Sequence, residues 1–259
     1  MSLMNKIKGI MEENKISADD TFLSYPTGIS MFDYRVGFYE PLSKEINTGI
    51  EGGKLFTVIG RSGSGKTTFA IQTATNIVNK YENGMVMHLD FEDATNASRV
   101  MNLSGWDVDT YNQKYVLAKK GISSDSVYQL AKGIEKTKMD DYDNLKVDTG
   151  RKDHNGETIY ELPPTVLIID SVASMFSSNI NEESEMGGQM DVTQQAKQNN
   201  QLIKRLSGSS ALRNANIIII AVNHITQKID INPMMKTSAP INYLKQDESI
   251  PGKRAYCLA

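Results

Sequence analysis

Cysteine is nearly absent from this chain. Cys257 is the single one in 259 residues, so no disulfide can form within it, and such usage fits a reducing cytoplasm. Long apolar runs are missing too. The longest aliphatic stretch, Ile217 to Val222, is far too short to span a bilayer, and the N-terminal residues lack the apolar core of a signal peptide. A cytoplasmic protein with no membrane span is expected. There is no excess of basic charge. A net charge of −3 and a pI near 5.7 provide no bulk argument for nucleic acid and leave that work to local patches. Neither an internal repeat nor a low-complexity tract is visible. The remaining composition is that of an ordinary globular protein, 23% charged and 39% hydrophobic, with length for one large domain or one domain plus a small appendage.

One motif stands out. Gly60-Arg61-Ser62-Gly63-Ser64-Gly65-Lys66-Thr67 spells G-x-x-x-x-G-K-[ST], the phosphate-binding P-loop. Its glycines let successive backbone N–H groups wrap an anion, Lys66 adds positive charge at the terminal phosphates, and Thr67 offers a hydroxyl to Mg²⁺. Thr68, next in the chain, joins the nucleotide-binding set. The context agrees with the motif. Lys54 to Ile59 is a short apolar run that reads as a buried strand. Phe69, Ala70, Thr73, Ala74, Ile77 and Val78 then recur at helical spacing. The loop therefore closes a strand and opens a helix, whose N-terminus attracts phosphate.

From Leu55 onward strand and helix patterns alternate. Strands are predicted at 55–59, 85–90, 114–118, 165–170 and 217–222, and helices at 66–80, 94–104, 124–138 and 190–206. This rhythm predicts an α/β fold with a mostly parallel sheet flanked by helices. Residues 4–15 read as an amphipathic helix with Ile7, Ile10 and Met11 on one face, followed by a polar linker; residues 1–24 are expected to contact a neighbouring protomer. Two stretches break the rhythm. In 139–164, Asn155-Gly156 between two strand-like runs signals a β-hairpin, read as a solvated surface insertion. Residues 227–252, with Pro233, Pro240 and Pro251, read as a long loop, a feature that is often functional.

Three further strand ends carry chemistry. Thr165 to Ile169 is an apolar strand ending in Asp170, the Walker B pattern, which places a carboxylate beside the P-loop to hold hydrated Mg²⁺; a helix-capping aspartate would look the same. Met85 to Leu89 ends in Asp90-Phe91-Glu92. Hydrolysis of ATP needs a carboxylate to orient water at the γ-phosphate, and Glu92 is placed for it, with Asp90 and Asp93 as rivals. Ile217 to Val222 ends in Asn223-His224, polar groups that either sense the γ-phosphate or serve the fold.

Taken together the set resembles the ATPase core of the RecA-type strand-exchange recombinases, including the phage UvsX branch, over roughly residues 25–259. Thr27-Gly28-Ile29-Ser30-Met31-Phe32-Asp33 is similar to the family's T-G-x-x-x-[LF]-D. Gly49 to Lys54 resembles its G-[LI]-x-x-G-[RK], Asp90-Phe91-Glu92 its D-x-E, Asp170 to Ser174 its D-S-V-A-[AS], and Asn223-His224 its N-[QH]. The resemblance implies a RecA-like P-loop ATPase core with a β-hairpin insertion. ATP and Mg²⁺ are its cofactors, Glu92 and Lys66 its catalytic pair, and Thr67 and Asp170 its metal holders. Asn223 and His224 become the γ-phosphate sensor that couples to the DNA loops. Arg99, seven residues after Glu92, falls where family members stack a side chain on adenine; a helix-surface arginine is the plainer reading.

The same resemblance implies two single-stranded-DNA loops, near 177–189 and 226–252. Gly187, Gly188 and Met190 belong to the first and Ile229 to the second, where an apolar wedge can hold bases apart. Lys197, Lys228, Lys253 and Arg254 are available for phosphates. Ala259 falls within what resembles the start of the next core strand, so the family's C-terminal strands are expected to be missing from the sequence given. The implied function is an ATP-dependent, DNA-stimulated recombinase that assembles as a homo-oligomer, filament or ring, for homologous pairing and strand exchange. Two alternatives share the core: a hexameric helicase or translocase, and a nucleotide-binding recombinase regulator with little hydrolysis.

Overall fold

The computed structural model describes residues 23–40, 45–119, 123–152, 156–175, 189–227 and 248–249. In chain order they form β1 (Ser24–Tyr25), α1 (Ser30–Val36), β2 (Phe38–Glu40), β3 (Glu45–Asn47), β4 (Ile50–Glu51), β5 (Leu55–Gly60), α2 (Lys66–Asn79) and β6 (Met85–Asp90). Then come α3 (Ala97–Ser104), α4 (Val108–Lys114), β7 (Tyr115–Ala118), α5 (Ser124–Asp140), α6 (Tyr142–Leu145), β8 (Val147–Lys152), β9 (Thr158–Glu161) and β10 (Thr165–Asp170). A single 3-10 turn at Val172–Ser174 leads on to α7 (Gln189–Ser207), α8 (Ser210–Asn214), β11 (Ile217–His224), β12 (Thr226–Gln227) and β13 (Glu248–Ser249).

The central sheet has the order β5-β11-β10-β6-β7, and every neighbouring pair is parallel. Its sequence explains why. Thr165–Asp170 is buried along its whole length, and Ile217 to Asn223 is buried throughout. Such runs of β-branched residues suit strands covered on both faces. Alternate side chains divide between two cores. Val166, Ile168, Ile218 and Ile220 pack with Ala70, Ile71, Ala74 and Ile77 of α2, while Leu167, Ile169, Ile217 and Ile219 pack with Leu202, Ile203 and Leu206 of α7. Each such side chain contributes about 1.5–3 kcal/mol by leaving water.

The sheet order corrects one detail. The strand ending in Asp170 is not beside the P-loop strand, because β11 lies between β10 and β5. The expected helix at 94–104 starts only at Ala97, since Asn96 is extended and caps it by accepting from the Arg99 N–H. Small antiparallel pairs, β1–β4, β2–β3, β8–β9 and β12–β13, decorate the sheet. The hairpin expected within 139–164 is β8–β9, and Gly156 in its turn has φ +86°. Its base is more than a solvated flap. Glu161 is buried and accepts hydrogen bonds from Tyr25 and Tyr81, while Asn216 donates to the Tyr25 hydroxyl and the Leu162 carbonyl.

Lys138, on α5, is 7% exposed and donates to the Pro163 and Ala215 carbonyls at 2.5 and 2.9 Å, just before β10 and β11. Burial pushes its ammonium down from 10.5 to about 7. Between those values the unfolded chain binds the extra proton, so this residue makes stability rise with pH, by at most about 1.4 kcal/mol per unit. Denaturant titrations at pH 7.5 and 9 should show that rise in the wild type and a flatter response in Lys138→Met.

Candidate functional site

Parallel strands end together, and the described chemistry collects at the C-terminal edge of the sheet. Register pairs Asp170 with Asp90 and with Val222, and His224 with Gly60. Ligands of open α/β sheets bind at this edge.

The loop from Gly60 to Lys66 turns sharply. A Cβ on Gly60 would sit 2.6 Å from Ser64 Oγ, too close for any other residue. Gly65 has φ +85°, serves as the N-cap of α2, and provides no side chain to the first-turn N–H groups. Those donors and the helix dipole suit a phosphate. Lys66 is buried and its Nζ reaches the Arg61 carbonyl at 2.9 Å, holding the ammonium against the loop.

Thr67 Oγ1 donates to Asp170 Oδ2 at 2.6 Å across the intervening strand. Asp170 Oδ1 is buried with no hydrogen-bond partner. Burial raises the Asp170 carboxyl; the Thr67 bond opposes this, while the Glu92 and Asp90 charges add to it. An orphaned carboxylate oxygen beside a threonine hydroxyl is a donor set that fits Mg²⁺, whose shell is completed by water and phosphate oxygens. The described residues contain no cluster of three or more His, Cys, Asp or Glu side chains able to hold a metal alone, which accords with a metal held chiefly by its substrate.

The three acidic candidates after β6 have different surroundings. Asp90 is buried and accepts from the Glu92, Ala94 and Thr95 N–H groups, so it shapes the turn. Asp93 pairs with Lys119. Glu92 is solvent-facing, and its Oε1 lies 2.7 Å from His224 Nε2 and 3.5 Å from Ser174 Oγ. Burial works to raise the Glu92 carboxyl, but hydrogen bonds from Ser171 and His224, with the His224 and Lys66 charges, outweigh it and hold the group below the ordinary value. Asn223 is fully buried, and its Oδ1 accepts from the His224 N–H. Arg99 reaches from α3 to Thr68 on α2, Nη2 to Oγ1 at 3.1 Å, which puts its guanidinium beside the first turn of the P-loop helix.

The Thr27-to-Asp33 motif acts as a clasp. The Asp33 carboxylate accepts from the Thr27 N–H and hydroxyl and from the Gly28 N–H, and Asn76 of α2 donates to the Thr27 carbonyl. The motif thereby ties the preceding chain to the P-loop helix. His88 is a site-adjacent residue whose own part the sequence pattern did not single out; it is fully buried beneath Asp170. A cavity of about 580 Å³ lies elsewhere, at the start of the strands, lined by Lys54, Glu161, Arg213 and Asn216 and by no P-loop residue.

Several expected positions fall elsewhere in the chain. Residues 4–15, Gly187, Gly188, Lys228, Ile229, Lys253 and Arg254 lie outside the described residues. Met190 and Lys197 fall on the backbone of α7, with their side chains outside the description. No helix among the described residues is long and apolar enough to cross a membrane.

A five-stranded parallel sheet with a P-loop at its C-terminal edge, and with helices on both faces, defines a RecA-like P-loop ATPase. The family model for the ATPase KaiC matches residues 25–205, more than half of the chain, and the chain belongs to that ATPase family. Among solved structures it is similar to one of an isolated ATPase domain, at 14% identity and a TM-score of 0.44, over 87% of this chain and 72% of that one. A search of curated proteins finds no match.

Proposed function

We propose that this chain hydrolyses ATP and couples hydrolysis to assembly on single-stranded DNA, as a strand-exchange recombinase. The observation that carries the reading is the 2.7 Å contact between Glu92 and His224. It joins the carboxylate best placed to act on water to the end of β11, from which the chain runs on towards 228–247. A change at Glu92 is thereby felt by the second expected DNA loop.

In this reading the N–H groups of the loop and Lys66 bind the phosphates of ATP, and Arg99 lies against the base. Glu92, held ionised, accepts a proton from the attacking water, a contribution of about 10²–10⁴ in rate. Asn223 fixes the backbone turn from which His224 reports on the γ-phosphate. Thr67 and Asp170 would hold Mg²⁺, which supplies charge neutralisation for the transferring phosphoryl group. Gly187, Gly188, Met190, Lys197, Lys228, Ile229, Lys253 and Arg254 are the proposed DNA contacts, and the assembly is a homo-oligomer with ATP between protomers.

The test is ATP turnover with and without single-stranded DNA, read beside electron micrographs of protein, DNA and a slowly hydrolysed ATP analogue. Stimulated turnover with filaments on the DNA is the expected result. Rings that unwind duplex would move the assignment to a helicase. Turnover indifferent to DNA, with no assembly, would leave an ATPase with some other partner.

A further inference from the structure

Beneath Asp170 lies a buried pair that the ATPase chemistry above does not use. His88 is 0% exposed and Tyr115 4%. His88 Nδ1 and the Tyr115 hydroxyl are 2.8 Å apart, and His88 Nε2 points towards Asp170 Oδ2 at 4.0 Å. Two buried polar atoms in this space have no hydrogen-bond partner, His88 Nε2 and Asp170 Oδ1.

The protons can be assigned by electrostatics. Burial keeps the imidazole neutral, lowering it to about 4, and keeps the Tyr115 phenol protonated, well above its usual value. A neutral imidazole carries one N–H. If Nδ1 carried it, the Nε2 lone pair would face a carboxylate in a dry interior, and the Tyr115 proton would lose its acceptor. If Tyr115 donates to Nδ1, Nε2 carries the hydrogen and its positive end faces Asp170. The second arrangement satisfies both residues and attracts the carboxylate. At 4.0 Å the interaction is a charge with a dipole, and no hydrogen bond is formed.

We propose that Tyr115 and His88 form a positioning relay. Tyr115 fixes the Nε2–H tautomer of His88, and that N–H orients the Asp170 carboxylate so that Oδ1 is presented to the divalent cation of the bound nucleotide. The proposal rests on the reading of Asp170 as a metal holder. His88 touches neither substrate nor metal and acts through Asp170. It faces Asp90 and Asp170 from the sheet, Tyr115 from the next strand, and the more distant Arg99 and Lys119 charges; of these only Tyr115 can set its tautomer.

Two measurements test it. Long-range ¹H–¹⁵N spectra of histidine-labelled protein report tautomers directly, and the chain has only three histidines. The buried one, assigned by its loss in His88→Gln, should show the Nε2–H pattern and shift towards a mixture in Tyr115→Phe. An Nδ1–H pattern in the wild type overturns the relay. In the second measurement, a fluorescent ATP analogue is titrated at a series of Mg²⁺ concentrations. The Mg²⁺ midpoint for tight binding should rise about tenfold in His88→Phe, as loss of an outer-shell partner does. It should be largely restored in His88→Gln, and affinity without Mg²⁺ should change less than about twofold. If His88→Phe does not fold, Tyr115→Phe carries the same comparison with a smaller rise. Unchanged midpoints in variants that bind the analogue overturn the relay alone. A wild type whose binding ignores Mg²⁺ overturns the reading of Asp170 itself.

Discussion

Replacing Lys66 by alanine should remove tight nucleotide binding while leaving the fold in place. The ammonium is 7% exposed, sits on the first residue of α2, and has the Arg61 carbonyl within 2.9 Å. Its link to Arg61 contributes about 1 kcal/mol, and alanine is the best helix former at that position, so the two effects on stability nearly offset. Binding has no such offset. A buried lysine facing polyphosphate makes charge-assisted hydrogen bonds of about 1.5–3 kcal/mol each. Two of them correspond to a loss of roughly 10²–10⁴ in affinity. Equilibrium titration with a fluorescent ATP analogue measures this, and a thermal melt by circular dichroism checks the fold. An affinity unchanged within about threefold, in a folded variant, would show that the loop from Gly60 to Thr67 is not the site. Lys66→Arg separates charge from shape: it keeps the charge but brings a wider planar fork into a crowded turn, and should restore only part of the loss.

The reasons that Lys66 was visible in the sequence also explain what was not. The P-loop is a local device. Its turn needs glycine at Gly60, where a Cβ would strike Ser64, and at Gly65, where φ is positive, so its geometry is written in adjacent letters. Strand existence was equally legible, because a parallel strand buried on both faces must be continuously apolar, as Ile217 to Val222 is. Strand order was not. Nothing in the residues of β11 says that it enters between β5 and β10; long crossovers leave no local trace of which neighbour a parallel strand will take. For the same reason His88 gave no sign of standing under Asp170, since that meeting is diagonal across two strands 82 residues apart. Nor could spacing separate Asp90 from Glu92. Residues two apart on a strand share a face, and only the turn after Asp90 sends one carboxylate to its own backbone and the other to His224. Glu161 misled in the opposite direction. An acidic residue in a polar insertion looks solvated, yet two tyrosines hold it buried at the hairpin base.

That separation of Asp90 from Glu92 sets up the second large effect. Glu92→Gln should bind ATP within about threefold of wild type and lose turnover by roughly 10²–10⁴, the usual contribution of a positioned general base. Glutamine has the length and shape to keep the contact with His224, and Glu92 is exposed enough that the change costs little stability. What disappears is the ability to accept a proton. Asp90→Asn should behave differently. Asp90 is 1% exposed and accepts from three backbone N–H groups of the turn that carries Glu92. Its loss should lower the melting temperature as well as turnover, because an uncharged amide accepts those bonds less strongly. The pair of variants thus distinguishes a residue that acts on water from one that shapes the turn. The pH profile adds an independent reading. Because the Glu92 carboxyl is held below its ordinary value by its partners, the base stays ionised to lower pH than a free glutamate, and the acid limb of wild-type turnover should lie correspondingly low. His224→Ala removes one partner and should move that limb upward. Turnover of Glu92→Gln within about tenfold of wild type would assign the base elsewhere.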